Sequence, residues 1–370
     1  MLYVNDVDLS GNEKKYLQEC IDTGWISSDG AFVKRFENEF GSYIGKKYAI
    51  AVTNGTSALE VALFAAGVKE GDEVILPSFT IISCAVAIIR LGAKPVLVDI
   101  EADTWSMNIS QIEAKITSKT KVILPVHIYG HPVDMDPIVA LADKYQLKVI
   151  EDAAEVHGAE YKGKKCGSLG DLSCFSFYAN KLITTGEGGM VLTDSKEMFE
   201  KASAYRNLCF IKGDRFHHEE LGYNFRMTNL QAAVGVAQLE RIDEIVSKKR
   251  KIGKYYTERL SKISGLKLQI EQPWAKTVYW MYCIQLEPSL GIDAKIMSER
   301  LKEKGIDSRP FFKGLHTQPA LQTHLDLNNE KFPVTDESYR YGLYLPSGLN
   351  LTEEIVDGVC DSVEAIITSL

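Results

Sequence analysis

Seven short apolar runs, near residues 48–53, 73–79, 94–100, 121–129, 147–152, 172–178 and 189–193, recur along the chain, several of them separated by helix-like stretches. A run such as Val122-Ile123-Leu124-Pro125-Val126 is apolar without alternation, the pattern of a strand covered on both faces. The alternation predicts an α/β fold with a mostly parallel seven-stranded sheet between layers of helix. Beyond Leu230 the texture changes. The stretch to about Leu260 predicts one long helix, Tyr279–Leu286 alternates like a half-buried strand, 294–304 is an amphipathic helix ended by Gly305, and 353–369 is another helix. With 370 residues and 45% hydrophobic content the chain can support two cores. The expected division is a large domain over 1–245 and a smaller C-terminal α+β domain over 246–370.

What the chain lacks narrows its function. No apolar run approaches about 18 residues, and Met1-Leu2-Tyr3-Val4-Asn5-Asp6 lacks a basic-then-apolar leader, so a cytoplasmic protein with no membrane partner is expected. Seven scattered cysteines (Cys20, Cys84, Cys166, Cys174, Cys209, Cys283, Cys360) without a C-x-x-C pair argue against a disulfide framework and against zinc. They are expected to be reduced and packed. A net charge of -8, with no basic stripe, disfavours nucleic acid. In His217-His218-Glu219-Glu220 adjacent side chains do not converge on one face, so no metal is expected there.

Chemistry concentrates at the ends of three predicted strands. Lys181 follows the apolar run Phe175-Ser176-Phe177-Tyr178 and precedes the Gly-rich turn Gly186-Glu187-Gly188-Gly189, an unusual setting for a lysine. Low polarity favours a neutral amine that can form a Schiff base with a carbonyl. Lys148-Val149-Ile150-Glu151-Asp152 is a buried run ending in carboxylates, and ligands of open α/β sheets collect outside such strand ends. Asp152 and Lys181 are therefore expected to face one crevice, and this pair is what pyridoxal phosphate requires: an amine for its aldehyde and a carboxylate for its ring nitrogen. A phosphate site is offered by Thr53-Asn54-Gly55-Thr56-Ser57, a strand-to-helix turn in which Gly55 allows close approach. Ser57 with Glu60 predicts a capping box opening a helix over 58–66, closed by Gly67.

These elements resemble the DegT/DnrJ/EryC1/StrS family of sugar aminotransferases over essentially the whole chain. The matching stretches are Thr23-Gly24-Trp25-Ile26-Ser27-Ser28, the Asn54-Gly55-Thr56 turn, His127-Ile128-Tyr129-Gly130-His131-Pro132, Glu151 to Glu155, the Lys181 segment to Gly189, and Gly222-Tyr223-Asn224-Phe225-Arg226-Met227-Thr228-Asn229. The resemblance implies a fold type I, aspartate aminotransferase-like enzyme with pyridoxal 5'-phosphate as cofactor. L-Glutamate is then the amino donor, and the acceptor is a ketone on a nucleotide-linked keto-deoxysugar of the GDP-4-keto-6-deoxymannose kind. It implies that Lys181 and Asp152 are catalytic. Gly55, Thr56, Ser57 and Ser176 then hold the phosphate, with Asn229 reaching in from the second subunit of a homodimer, and Glu155 lies beside the cofactor ring. Trp25, Ser27, Arg226, Arg309 and His316 are candidates for substrate contact; for Arg226 a salt bridge between subunits reads equally well, and His131, His157 and His316 read equally well as structural.

Two departures bear on the substrate and the cofactor. Where many relatives stack an aromatic on the ring this chain has Ile81, so that either Ile81 packs there or Phe79 substitutes, and loss of stacking is expected to weaken cofactor binding by about 0.5–1.5 kcal/mol. Asn207-Leu208-Cys209-Phe210 stands where a small Gly-Gln-Gly turn is usual. Placed at the substrate mouth, such bulk would favour a smaller, phosphorylated ketone. A deoxysugar dehydratase of this family would carry His at the Lys181 position, a cofactor-binding regulator would need an extra module, and a nicotinamide-binding protein would need G-x-G-x-x-G after residue 53.

Overall fold

The computed structural model describes residues 1–210, 216–327 and 330–370. All seven apolar runs are strands of one sheet: β1 Tyr48–Val52, β2 Glu73–Pro77, β3 Lys94–Val98, β4 Thr120–Ile123, β5 Lys148–Asp152 and, after the short β6 Glu160–Tyr161 and β7 Lys164–Lys165, β8 Leu172–Ser176 and β9 Gly189–Thr193. Their order is β1-β9-β8-β5-β4-β2-β3, parallel throughout except that β9 runs against both its neighbours. Strand residues are buried almost without interruption, because helices such as Gly55–Ala65 and Met135–Tyr145 pack on the sheet.

The helix expected from 230 to 260 is two helices, Asn229–Leu239 and Ile242–Leu260, broken at Glu240-Arg241. The break is held from outside. Glu240 accepts bonds from Asn12, Tyr16 and Arg35, and Arg241 grips Asp8, Ser10 and Glu244. The first helix opens with the capping box of Thr228 and Gln231.

A four-stranded antiparallel sheet follows, in which β10 Leu266–Leu268, β12 Tyr282–Leu286, β14 Gly342–Leu345 and β13 Arg309–Pro310 lie side by side. Strand β11, Ala275–Lys276, instead joins β6 and β7. Strand β12 is buried on both faces rather than half-buried. Tyr282, Ile284 and Leu286 enter a second apolar cluster with Tyr256, Met297 and Val363, whereas Cys283 enters the main core. The Ile242–Leu260 helix is shared likewise, its Ile245 and Val246 in the main core and its Ile252, Tyr256 and Leu260 in the second. Helices Ala294–Glu303, with Gly305 following in the left-handed region, and Glu353–Thr368 complete this part. All seven cysteines are buried free thiols. Among the described residues no helix is long and apolar enough to cross a membrane.

Candidate active site

A cleft of about 430 Å³ opens at the carboxyl ends of β5 and β8 and also takes in Trp280, Phe312 and Tyr344. Gly55, Thr56, Ile81, Asp152, Glu155, Ser176 and Lys181 all line it. The turn before helix Gly55–Ala65 is capped by Asn54, not by the expected Ser57–Glu60 box: Asn54 Oδ1 accepts from Ser57 N at 2.8 Å and from Ser57 Oγ at 3.0 Å. Glu60 instead lies buried, bonded by Tyr205 OH and by Arg90. The helix consequently starts three residues early. Gly55 and Thr56 stand at the cleft, while the Ser57 amide and hydroxyl are consumed by the cap.

Close backbone approach at this turn dictates its glycines. A Cβ on Gly55 would lie 2.8 Å from Ser176 Cβ, and one on Gly189 would lie 2.3 Å from Asn54 O. The Gly-rich segment after Lys181 thus lets β9 pass the turn and brings the end of β8 against the helix N-terminus. An amide-lined helix start beside a serine hydroxyl is an anion cradle.

Asp152 ends β5 and is 4% exposed. Its Oδ1 accepts from Ala154 N at 3.1 Å and its Oδ2 from Cys84 Sγ at 3.1 Å. Burial, reinforced by Asp152, raises the Cys84 thiol well above its ordinary value, so that it stays a proton donor. Glu155 is held by Tyr129 N–H at 2.7 Å, and its other oxygen stands 3.5 Å from Lys181 Nζ. Burial pushes the Glu155 carboxyl up to about 7, against the opposing pull of Lys181 and of the Tyr129 amide. Lys181 Nζ also lies over the Trp280 indole, 3.8 Å from the ring centroid.

The other expected contacts fall elsewhere. Phe79 is buried away from the cleft against Tyr129, Phe311 and Phe312, which leaves Ile81 at its wall. Asn229 turns inward on its own protomer: its Oδ1 accepts from Phe32 N at 2.9 Å, and its Nδ2 donates to Trp25 O at 2.6 Å and to Cys20 Sγ at 3.2 Å. No amide hydrogen is left for a phosphate. Asn224, five residues earlier, is the exposed amide of that stretch, accepting from Arg226 Nε.

Trp25 and Ser27 are exposed, Arg226 projects beside Asn224, and none of the three lines the cleft of its own protomer. Arg309 pairs with Asp307 on a separate groove lined also by Asp293 and Arg340. His316 joins Ser78 Oγ at 2.6 Å to Asp336 at 3.0 Å, tying the end of β2 to the Pro333–Tyr341 helix. His131 is bonded to Pro132 O and by Gln272 N, and His157 is packed among Phe40, Phe175 and Phe177. Residues 207–210 do not line the cleft either. Leu208 and Cys209 keep a glycine-like backbone, with φ of 59° and 49°.

The cleft also holds residues that the sequence did not announce. Trp280, Phe312 and Tyr344 come from the second half of the chain, and Cys84 acts behind Asp152. Cys84 alone had a local signal, four residues after Thr80 on the same cleft-side turn.

A lysine amine, a buried carboxylate at a parallel-strand end and an anion cradle in one cleft are the constellation of a pyridoxal-phosphate-dependent enzyme. The chain belongs to the DegT/DnrJ/EryC1/StrS aminotransferase family, whose model matches residues 7–364. It is 42% identical over 355 residues to GDP-perosamine synthase of Escherichia coli O157:H7, covering 96% of this chain and 95% of the relative, and 40% identical over 366 residues to that of Vibrio cholerae, covering 98% of each. Among solved structures, S. venezuelae DesV in complex with a ketimine intermediate superposes with a TM-score of 0.90 at 31% identity, covering 96% of this chain and 94% of that one. The fold is that of fold type I sugar aminotransferases, and the cofactor is pyridoxal 5'-phosphate.

Proposed function

We propose that this enzyme transfers the amino group of L-glutamate to the ketone of a GDP-linked 4-keto-6-deoxymannose-like sugar, supplying a precursor of a surface polysaccharide. The observation that carries the substrate is the 40–42% identity to GDP-perosamine synthases over nearly the full length. The residues fit the cofactor: Gly55, Thr56 and Ser176 would hold its phosphate, Asp152 its ring nitrogen, and Ile81 and Glu155 would flank the ring. When bound, the cofactor carries the amino group between the two half-reactions, and its ring accepts the electrons left at the deprotonated carbon. Lys181 Nζ takes the proton from the α-carbon of the donor and delivers one to the carbon of the acceptor. Asp152, anchored by Ala154 N and Cys84, keeps its carboxylate in place.

The working form in this reading is a cytoplasmic homodimer with two units per chain, 1–245 and 246–370. Exposed Trp25 and Ile26, and exposed Leu221 and Tyr223 close to Asn224 in the chain, support partner contacts at these two segments. Trp25, Ser27 and Arg226 then serve the partner's cleft, and the amide that crosses is Asn224. Residues 207–210 lie outside the cleft of their own protomer but pair with the Asn224 stretch, so the smaller phosphorylated ketone stands as the alternative acceptor.

Incubation with pyridoxal phosphate, L-glutamate and GDP-4-keto-6-deoxymannose, followed by mass spectrometry, tests this. Equal amounts of 2-oxoglutarate and aminated GDP-sugar are expected. Turnover restricted to keto-phosphates or to sugars on another nucleotide would overturn the substrate assignment.

A further inference from the structure

We infer that Trp280 is a positioning residue for Lys181: its indole face holds the free amine in the cleft and keeps it from collapsing onto Glu155. The inference rests on the proposed role of Lys181. Its amine has two neighbours that attract a cation, the Trp280 ring at 3.8 Å and Glu155 Oε1 at 3.5 Å. A charge-assisted N–H···O bond closes to about 2.7–2.9 Å when nothing opposes it. The Glu155 contact is longer than that although Glu155 is buried and the Lys181 side chain is only 11% exposed, and the amine's other neighbour is the indole.

The indole is itself fixed. Its Nε1–H donates to Asn180 O at 2.7 Å, and its backbone carbonyl accepts from the buried Lys249 Nζ at 2.8 Å. Lys249 also donates to Ser347 O, so one amine pins the Trp280 segment to the chain following β14. An ammonium on an aromatic face is released more readily than one in a short buried ion pair. Without the ring, the amine would settle on Glu155, held by the carboxylate and less free to meet a carbonyl.

The affected step is the capture of the cofactor aldehyde. Lys181 Nζ bonds to the aldehyde carbon, the carbonyl oxygen leaves as water with two protons from the amine, and a C=N bond remains. Full-length apoprotein is mixed with pyridoxal phosphate, linkage is followed by absorbance, and borohydride-trapped product is mapped by peptide mass spectrometry. Binding of 4'-deoxypyridoxine phosphate, which has no aldehyde, is measured in parallel. Trp280→Leu should link about tenfold more slowly while binding the aldehyde-free analogue within about twofold of the parent, and Trp280→Phe should stay near the parent. Trp280→Leu combined with Glu155→Gln should regain most of the rate, because the competing carboxylate is gone.

Linkage by Trp280→Leu at the parental rate, a double variant as slow as the single one, or analogue binding that falls in step with linkage would overturn the inference. Trp280→His carries the same comparison should the leucine variant not fold. Parent protein trapped at a residue other than Lys181 would instead remove the assignment of Lys181 itself.

Discussion

At the scale of single residues, burial decides which groups react and which only fill space. Lys181→Ala should lower turnover by on the order of 10³–10⁴ while leaving the far-ultraviolet circular dichroism and melting midpoint unchanged. Multiple turnover at the parental rate by that variant would dismiss Lys181 as the proton carrier. His157 shows the other case. It is fully buried, and burial, with nearby Lys181, lowers its imidazole from 6.5 to about 3. The folded state therefore binds fewer protons than the unfolded chain between those values. This group's contribution to stability is complete above about 6.5 and lost as pH falls towards 3. His157→Phe, among Phe40, Phe175 and Phe177, should remove that dependence. Its stability relative to the parent should improve by about 1 kcal/mol for each pH unit below 6.5, read from urea unfolding at several pH values.

Elements were legible where a local signal sufficed. The strands of the large sheet followed from unbroken apolar runs, and Asp152, Lys181 and the Gly55-Thr56 turn could be placed because each sits at a strand end or strand-to-helix turn, whereas Glu155 and Ser176 rested on the family resemblance. Elements fixed by distant partners were not legible. Local periodicity could not reveal that Asp8, Asn12, Tyr16 and Arg35 would break a helix at Glu240-Arg241, nor that two different cores would cover β12. Asn229 was assigned to a phosphate because a motif does not show which of its amides points outward. Local chemistry does support a stability forecast at Gln146, which closes the Met135–Tyr145 helix in the left-handed region with φ of 54° and is exposed. Gln146→Gly should raise stability by about 0.5–1 kcal/mol, measured by chemical denaturation, since glycine takes this conformation without the Cβ penalty.

For the whole molecule, the Ile242–Leu260 helix and strand β12 each contribute to both apolar clusters and so tie them together. The Lys181 cleft draws on both halves of the chain, with Asp152 from the large sheet and Trp280 and Tyr344 from the later half. In the proposed dimer a further dependence arises from Asn229, which would not itself meet the partner. Asn229→Ala should weaken self-association by about tenfold, seen by sedimentation across a dilution series, with activity falling in parallel. An unchanged association constant would separate the two. One carboxamide closes residues 20–32 onto the helix that begins at 229 and leaves Trp25 and Ile26 standing outward. Two copies would therefore meet as finished surfaces, with the ordering entropy already spent inside each monomer, and encounter would be governed by diffusion and orientation rather than by loop folding.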